Sequence, residues 1–433
     1  MTVQKSVAAA TSSSEGPGSR RRRIIDVVQV AVFLMFLVVP LLRLGQGDVT
    51  GTIAKTERRR PSPFPVYEAL SRDRPPAAGG TGWLNFPKAF ESWFNDHLGM
   101  RHTFIRMYNF ARIAKVSGPT PADFSSSDSG PAAQMRVIIG RDGWLFYGGG
   151  RMIDDFRRTS PFSERQLSDW CDVLRARRDW LARRGIRYVL MIAPNQQTVY
   201  PEQMPRSIVP VGAVSRLDQL KARLSRDHDF VFVDPRDRLI SAKMRFPTYH
   251  KTDTHWNDFG SFTAYTQLCE QTAAWFPGLR PAPLNDFHVS VSDAEGRHLA
   301  AAVDSFVCFR EELVTLSPKR ARRALHVKLP PTSESEHHAL SRNENAELDC
   351  AVVLHDSFFE SVRPYFDEHW KRVRYVWTDD FPMEIIEAER PQVVIQELVE
   401  RKLLFVEMRN PPAIDQPQEV VADRGREHAS SNR

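Results

Sequence analysis

The chain has 433 residues, 42% of them hydrophobic and 26% charged, with a formal net charge of +6. This balance excludes a disordered polar chain and suits one large domain or two ordinary ones. The basic residues are scattered among acidic ones without any nucleic-acid motif, so the charge does not point to a nucleic-acid binder.

Residues 1–23 are Ala/Ser/Gly-rich, end in Arg20, Arg21, Arg22 and Arg23, and read as a disordered cytoplasmic tail. Residues 24–44 follow as an almost wholly apolar stretch, close to the roughly 20 residues that cross a bilayer. The arginines before it predict a cytoplasmic N-terminus and an exported bulk. No small-x-small cleavage site follows, so the expectation is an uncleaved, single-pass signal anchor in the cell inner membrane. The remainder would lie in the periplasm or another extracytoplasmic space. Residues 45–82, with Pro61, Pro63, Pro75 and Pro76, read as a linker. The main domain is expected over 83–409, and 410–433 as a disordered tail.

Within the domain, 88–116 has helical periodicity with Gly99 as an interruption, and 117–134 is a polar Ser/Pro/Gly loop. Val137–Ile139 and Trp144–Tyr147 flank an Asp142-Gly143 turn and predict a hairpin. A helix over 163–184 takes Ser163 as cap and Gly185 as stop. Arg187–Ala193 and Phe230–Val233 read as strands buried on both faces, with a helix over 215–224 between them. A helix over 257–276 follows, then short apolar runs at 351–354, 373–376 and 393–395. Between the first two of these runs, 358–370 reads as a helix broken or bent near Pro364. The alternation predicts an α/β domain around a mostly parallel sheet. Cys171, Cys269, Cys308 and Cys350 would be exported, where disulfides can form, and four cysteines allow three full pairings, while Cys171 and Cys269, in apparent helices, suit buried thiols equally. Their spacing fits no metal motif.

Two segments carry chemistry. Ser357 sits where the strand ending in Leu354-His355-Asp356 feeds a helix, and Asp253 and His255 lie about a hundred residues earlier. A serine hydroxyl needs an adjacent base to attack a carbonyl, and the base needs a partner on its far ring nitrogen. His255 is the candidate base and Asp253 the candidate partner. Residues two apart in an extended segment point the same way, which brings this pair together locally. In an open parallel sheet, sites form beyond the carboxyl ends of strands. Amides at the start of the helix after Ser357 would face a developing oxyanion. The Gly-x-Ser-x-Gly elbow of α/β-hydrolases is absent.

Taken in order, Gly140-Arg141-Asp142-Gly143-Trp144-Leu145-Phe146-Tyr147, Ala193-Pro194-Asn195-Gln196-Gln197, Thr252-Asp253-Thr254-His255-Trp256-Asn257 and His355-Asp356-Ser357-Phe358 resemble the SGNH-hydrolase-like domain of the alginate O-acetyltransferase AlgJ/AlgX group. The blocks at Phe94–His97 and Gln396–Arg401 are similar too, and the layout is closest to membrane-anchored AlgJ. The resemblance implies a three-layer α/β domain with Asp253, His255 and Ser357 as catalytic residues. It implies transfer of an acetyl group, through an acyl-serine, to hydroxyls of an exported polysaccharide, alginate-like or other. It implies no bound cofactor or metal, the acetyl group being delivered by a multi-pass membrane O-acyltransferase partner. The chain departs from the family pattern at His355, often Gly, and at Gln196 or Gln197, where Lys is common.

Asn195, at a strand end, is a candidate oxyanion donor. His355 and Trp256 are candidates for substrate contact. Trp144 and Tyr147 suit sugar stacking or core packing equally, and Asp96, His97 and Arg101 suit a helix cap or an internal ion pair better than a place lining the cleft. The basic run 319–323 suits a solvated surface. Two alternatives share the residues: an acyl esterase acting on polysaccharide, and a non-catalytic scaffold or polysaccharide-binding component of an export complex.

Overall fold

The computed structural model describes residues 137–415 except 228, 303–308 and 328–337, together with 60, 62–65, 86–97 and scattered positions between 27 and 42. The chain divides into two compact units, residues 1–111 and 112–433. The expected anchor at 24–44 lies largely outside the described residues, as do the loop at 117–134, the helical pattern beyond His97 and the C-terminal tail. Among the described residues, no helix is long and apolar enough to cross a membrane.

In the first unit, Phe86–His97 is a helix. Phe64 packs edge-on against its Trp93 at 4.8 Å, and buried Asp96 accepts a hydrogen bond from the Ser62 amide. Asp96 thus serves the internal structure of this unit, and His97 likewise bonds the Trp93 carbonyl one turn back.

The second unit opens with a hairpin, β1 (Val137–Ile139) paired antiparallel with β2 (Leu145–Tyr147). Asp142 and Gly143 take the left-handed conformation that the expected turn demands. Helix α1 (Glu164–Ala182) starts at Ser163, whose hydroxyl accepts from the Gln166 amide while the Gln166 side chain returns the bond. The helix stops at Gly185, whose φ of +72° costs glycine little. Strand β3 (Arg187–Ala193) is buried at every residue after the first. Helix α2 (Arg216–Leu224), capped by Ser215, leads to β4 (Val231–Val233). Helix α3 spans Asp258–Thr272.

Strands β5 (Phe287–Glu295) and β6 (Arg310–Pro318) form a separate antiparallel ribbon. Next come β7 (Leu325–Val327), β8 (His338–Arg342), β9 (Leu348–His355), β10 (Trp370–Trp377), helix α4 (Met383–Glu389) and β11 (Val393–Val399). The main sheet has the order β4-β3-β11-β9-β10-β8-β7. Its first five strands are parallel, and β8 and β7 extend it through antiparallel pairings, so the sheet is mixed and, as expected, mostly parallel.

Alternation along the strands sorts the core into two layers. Val189, Met191, Val353 and Ile395 face the layer containing Phe259, Phe262 and Tyr265 of α3. Tyr188, Leu190, Ile192, Val352 and Val394 face Leu167, Leu174, Leu217 and Leu220 of α1 and α2. Each fully buried aliphatic side chain contributes roughly 1.5–3 kcal/mol over exposure. This two-sided burial explains the continuous apolar runs of β3, β9 and β11.

Two expectations need correction. Val231 and Phe232 are only half-buried, because β4 is an edge strand. The stretch after Ser357 is no single helix but three short turns, Phe359–Ser361, Arg363–Phe366 and Asp367–His369. Pro364 opens the middle one, since a proline fits only a first turn. Cys171, Cys269 and Cys350 are free thiols, with Cys171 and Cys269 buried as one of the two readings of the sequence had them. Burial pushes both Cys171 and Cys350 up to about 11, which leaves them inert thiols at neutral pH.

Candidate functional site

The carboxyl ends of β3, β11 and β9 share one edge of the sheet, with Val399 beside Ala193 and Gln396 beside Leu354. Ser357 follows β9 by two residues. Asp356 fixes this turn with both carboxylate oxygens: Oδ1 accepts from the Phe358 amide at 3.0 Å, and Oδ2 accepts from the Val399 amide at 2.9 Å. Lys402 Nζ lies 3.1 Å from Oδ2, and the Asp356 amide donates to Glu397 Oε2 at 3.1 Å. Burial first, and the Asp356 charge second, push the Glu397 carboxyl well above its ordinary range.

The loop 248–257 supplies the partners. It folds back through the His250 amide to the His255 carbonyl, 3.1 Å, and the Asn257 amide to the Thr248 carbonyl, 3.1 Å. The Asn257 side chain then caps α3 by accepting from the Gly260 amide. Gly260 is required there, because a Cβ would come within 2.0 Å of the Thr248 carbonyl oxygen. The loop is a bend rather than the extended segment expected. Asp253 and His255 nevertheless meet, because Asp253 Oδ1 accepts both the Thr254 amide at 2.7 Å and His255 Nδ1 at 2.9 Å. His255 Nε2 lies 2.7 Å from Ser357 Oγ, across 102 residues of sequence. Burial alone would raise the Asp253 carboxyl. The bond and charge of His255, with His250 and the Thr254 amide, instead hold it well below the usual carboxylate range. The structure therefore brings together all three residues expected to converge, with the His255 side chain one-third exposed. This arrangement can pass the serine proton to the imidazole while a fixed anion faces the opposite nitrogen.

The remaining candidates are diverted by packing. Trp256 is buried; its indole N–H faces the Phe358 carbonyl at 3.0 Å and Ser361 Oγ at 2.7 Å, and its ring meets Phe358 edge-on. It supports the serine turn from below and offers no face to a substrate. His355 is buried among Phe359, Tyr375 and Trp377, with Nδ1 bonded to the Asp356 carbonyl. Burial pushes its ring toward the neutral form, so it is a packed strand-end residue and not a second imidazole at the serine. Asn195 is buried too. Its amide donates to Glu400 Oε2 at 2.7 Å, and its Nδ2 reaches toward Asp155 Oδ2 at 3.4 Å. That engagement removes it as an expected oxyanion donor. The Phe358 amide, the first of those expected to stand free after Ser357, is likewise committed, to Asp356. Gln196 donates to the His250 carbonyl at 2.7 Å and so braces the catalytic-type loop. Trp144 stacks on Tyr200 at 4.2 Å inside the core, which settles its role as packing.

Sequence reasoning missed the charged residues behind this surface: Glu397, Glu400, Lys402, Arg297 and Glu311. Only Glu397, in the apolar run of β11, and Glu400, directly after it, carried a signal, since a buried strand rarely holds carboxylates without partners. Asp155 belongs to the same buried group. Burial, then the Glu400 charge, raise it to about 7 against the pull of Arg216. With a raised folded value, stability falls as pH climbs from the ordinary carboxylate value toward 7, and the full penalty persists above it. Asp155→Asn is therefore expected to melt several degrees higher than the parent at pH 8 and to show no gain near pH 3.5, as followed by thermal unfolding. Among the described residues, no group of three or more His, Cys, Asp and Glu side chains is placed to hold a metal ion.

Residues 137–328 match the family described as the SGNH hydrolase-like domain of the acetyltransferase AlgX. This span includes Asp253 and His255 and ends before Ser357. The probable alginate O-acetylase AlgJ of Pseudomonas aeruginosa is 30% identical over 132 residues, which cover 30% of this chain and 32% of that protein. The match thus spans about a third of the length of this curated relative. Among solved structures, the O-acetyltransferase domain of Pseudomonas putida AlgJ superposes with a TM-score of 0.43 at 20% identity, over 65% of this chain and 96% of that one. Bacillus cereus PatB1 with a sulfonyl adduct superposes with a TM-score of 0.47 at 13% identity, over 62% and 95%. Residues 137–328 thus carry the match to the SGNH hydrolase-like domain, and the chain is similar over part of its length to the AlgJ proteins.

Proposed function

We propose that this protein is an O-acetyltransferase acting through an acyl-serine on hydroxyls of an exported polysaccharide. The observation that carries the reading is the continuous relay from Asp253 through His255 to Ser357, at 2.9 and 2.7 Å. In the first half-reaction the Ser357 oxygen attacks the acyl carbonyl carbon and its proton passes to His255 Nε2. Collapse of the tetrahedral intermediate expels the donor's leaving group, which takes that proton. In the second half a sugar hydroxyl gives its proton to His255 and attacks the acyl-serine. Ser357 then leaves and recovers the proton. Asp253 keeps the imidazole in the tautomer with its free nitrogen toward serine and stabilises the transient cation.

No step requires a bound cofactor. An anchor at 24–44 places the domain outside the cytoplasm, so the acetyl group comes from a multi-pass membrane acyltransferase rather than from a soluble cytosolic donor. The curated relatives are named alginate O-acetylases, which supports a polymer of that class as acceptor.

An activated acetyl ester as donor, with and without oligouronate acceptor, tests the reading. Acetylated oligosaccharide is expected to accumulate at the expense of free acetate. Release of acetate alone, at a rate indifferent to every acceptor, would assign the protein as an esterase instead.

A further inference from the structure

Behind the Asp253–His255 pair lies a second charged layer that the proposed reaction does not use. Glu311, on β6, has a fully buried side chain. Its Oε2 accepts both the amide and the hydroxyl of Thr252, each at 2.8 Å. The Thr252 hydroxyl also accepts from the Arg297 amide at 2.8 Å, and the Thr252 carbonyl accepts from the Leu299 amide at 3.0 Å. Every hydrogen-bonding atom of the residue preceding Asp253 is thus held by the β5–β6 ribbon and its connection.

The charges interlock as well. Arg297 Nε stands 3.6 Å from Asp253 Oδ2 and 3.9 Å from Glu311 Oε1, with its side chain partly exposed. Glu311 Oε1 also lies 3.3 Å from His250 Nδ1. The groups facing this layer are therefore His250, Asp253 and His255 from the loop, Arg297 from the ribbon's connection and Glu311 from β6.

We propose that Glu311 and Arg297 are positioning residues for the Asp253–His255 pair. The buried carboxylate fixes the backbone that carries Asp253, and the two opposite charges balance the field at His255. The proposal rests on the acyl-serine reading above. Without Arg297, Asp253 and Glu311 would present two unscreened anions to the imidazole. Without the Glu311 charge, Arg297 would act on Asp253 unopposed. Burial would by itself neutralise Glu311, yet His250 and Thr252 hold its carboxyl below the ordinary value, so the charge is present at working pH.

Two single variants of the full chain separate this role from simple support of the fold. Hydrolysis of para-nitrophenyl acetate is measured as kcat/KM against pH, with Ser357→Ala as reference. Glu311→Gln keeps an acceptor for Thr252 but removes a negative charge. Imidazolium is then less favoured, and the acid limb of the profile is expected to move to lower pH by about half a unit or more. Arg297→Met removes the positive charge at a partly exposed position that the fold tolerates. The acid limb is expected to move to higher pH by about as much. The double variant is expected to return it close to the parent.

Shifts in the same direction, or uniform loss of activity with the limb unmoved, would overturn the proposal. Should Glu311→Gln fail to fold, Arg297→Met alone still decides, because an unmoved limb there refutes the charge balance. Hydrolysis undiminished in Ser357→Ala would instead remove the acyl-serine reading itself, and the inference with it.

Discussion

Ser357→Ala is expected to lower acetyl-ester turnover by about 10,000-fold or more, with the fold intact. The substitution deletes the oxygen that lies 2.7 Å from His255 Nε2 and removes little else. Asp356, Glu397, Val399 and Lys402 fix the turn through contacts that do not involve the Ser357 side chain. The unfolding midpoint should therefore stay within a degree or two of the parent. Mass spectrometry after rapid quenching provides a second measurement: the parent should gain one acetyl group on the peptide containing residue 357, and the variant none. An Ser357→Ala protein that still forms the adduct, or turns over at the parent rate, would exclude this serine as nucleophile.

The second large effect is expected at Asp253. Asp253→Asn should lower kcat/KM by between about 1,000- and 10,000-fold. Asp253 Oδ1 accepts from both the Thr254 amide and His255 Nδ1, while Oδ2 faces Arg297. An asparagine amide nitrogen must take one of these two positions. Toward Arg297 it meets a guanidinium without any charge to offset it. Toward Thr254 and His255 it meets two N–H groups and forces the imidazole into the wrong tautomer. In either orientation the anion that stabilises imidazolium is lost, so the residual activity should also show its acid limb at lower pH. Stability gives an independent check. Because the folded carboxyl is depressed, its contribution is fully present above the ordinary carboxylate value and is lost as pH falls below it. The Asn variant should therefore be less stable than the parent at pH 6, with the gap narrowing as the solution is made strongly acidic. A variant with full activity at neutral pH would remove Asp253 from the relay.

These expectations depend on contacts that differ in how far the sequence foreshadows them. Asp253 and His255 are two residues apart, and their contact is local, made possible by one amide hydrogen bond from Thr254. It survives the change from an extended segment to a bend. The bond from His255 to Ser357 is of another kind. The residue types and the strand-to-turn setting suggested it, but its length depends on β9 lying beside β11 and on α3 seating the loop through Gly260. Two of the groups expected to face an oxyanion are taken up by nearby carboxylates at this sheet edge. Asp155 faces the Asn195 side chain while Glu400 holds its backbone amide, and Asp356 holds the Phe358 amide.

Residues in the apolar runs, the caps and the turns were decided by local chemistry. β3 is a strand because six consecutive residues bury on two faces, α1 begins at Ser163 because its side chain can answer the Gln166 amide, and Asp142-Gly143 turns because both accept positive φ. Those features follow from propensity and period, which are properties of neighbouring residues. The ribbon β5–β6, the antiparallel pairings of β8 and of the edge strand β7, and the burial of Glu311, Glu397 and Glu400 were decided only by tertiary structure. A carboxylate is buried when partners from distant segments neutralise or hydrogen-bond it. Thr252 and His250 do this for Glu311, and Asn195 and Thr198 for Glu400, across 59 to 205 residues of chain that no local pattern records.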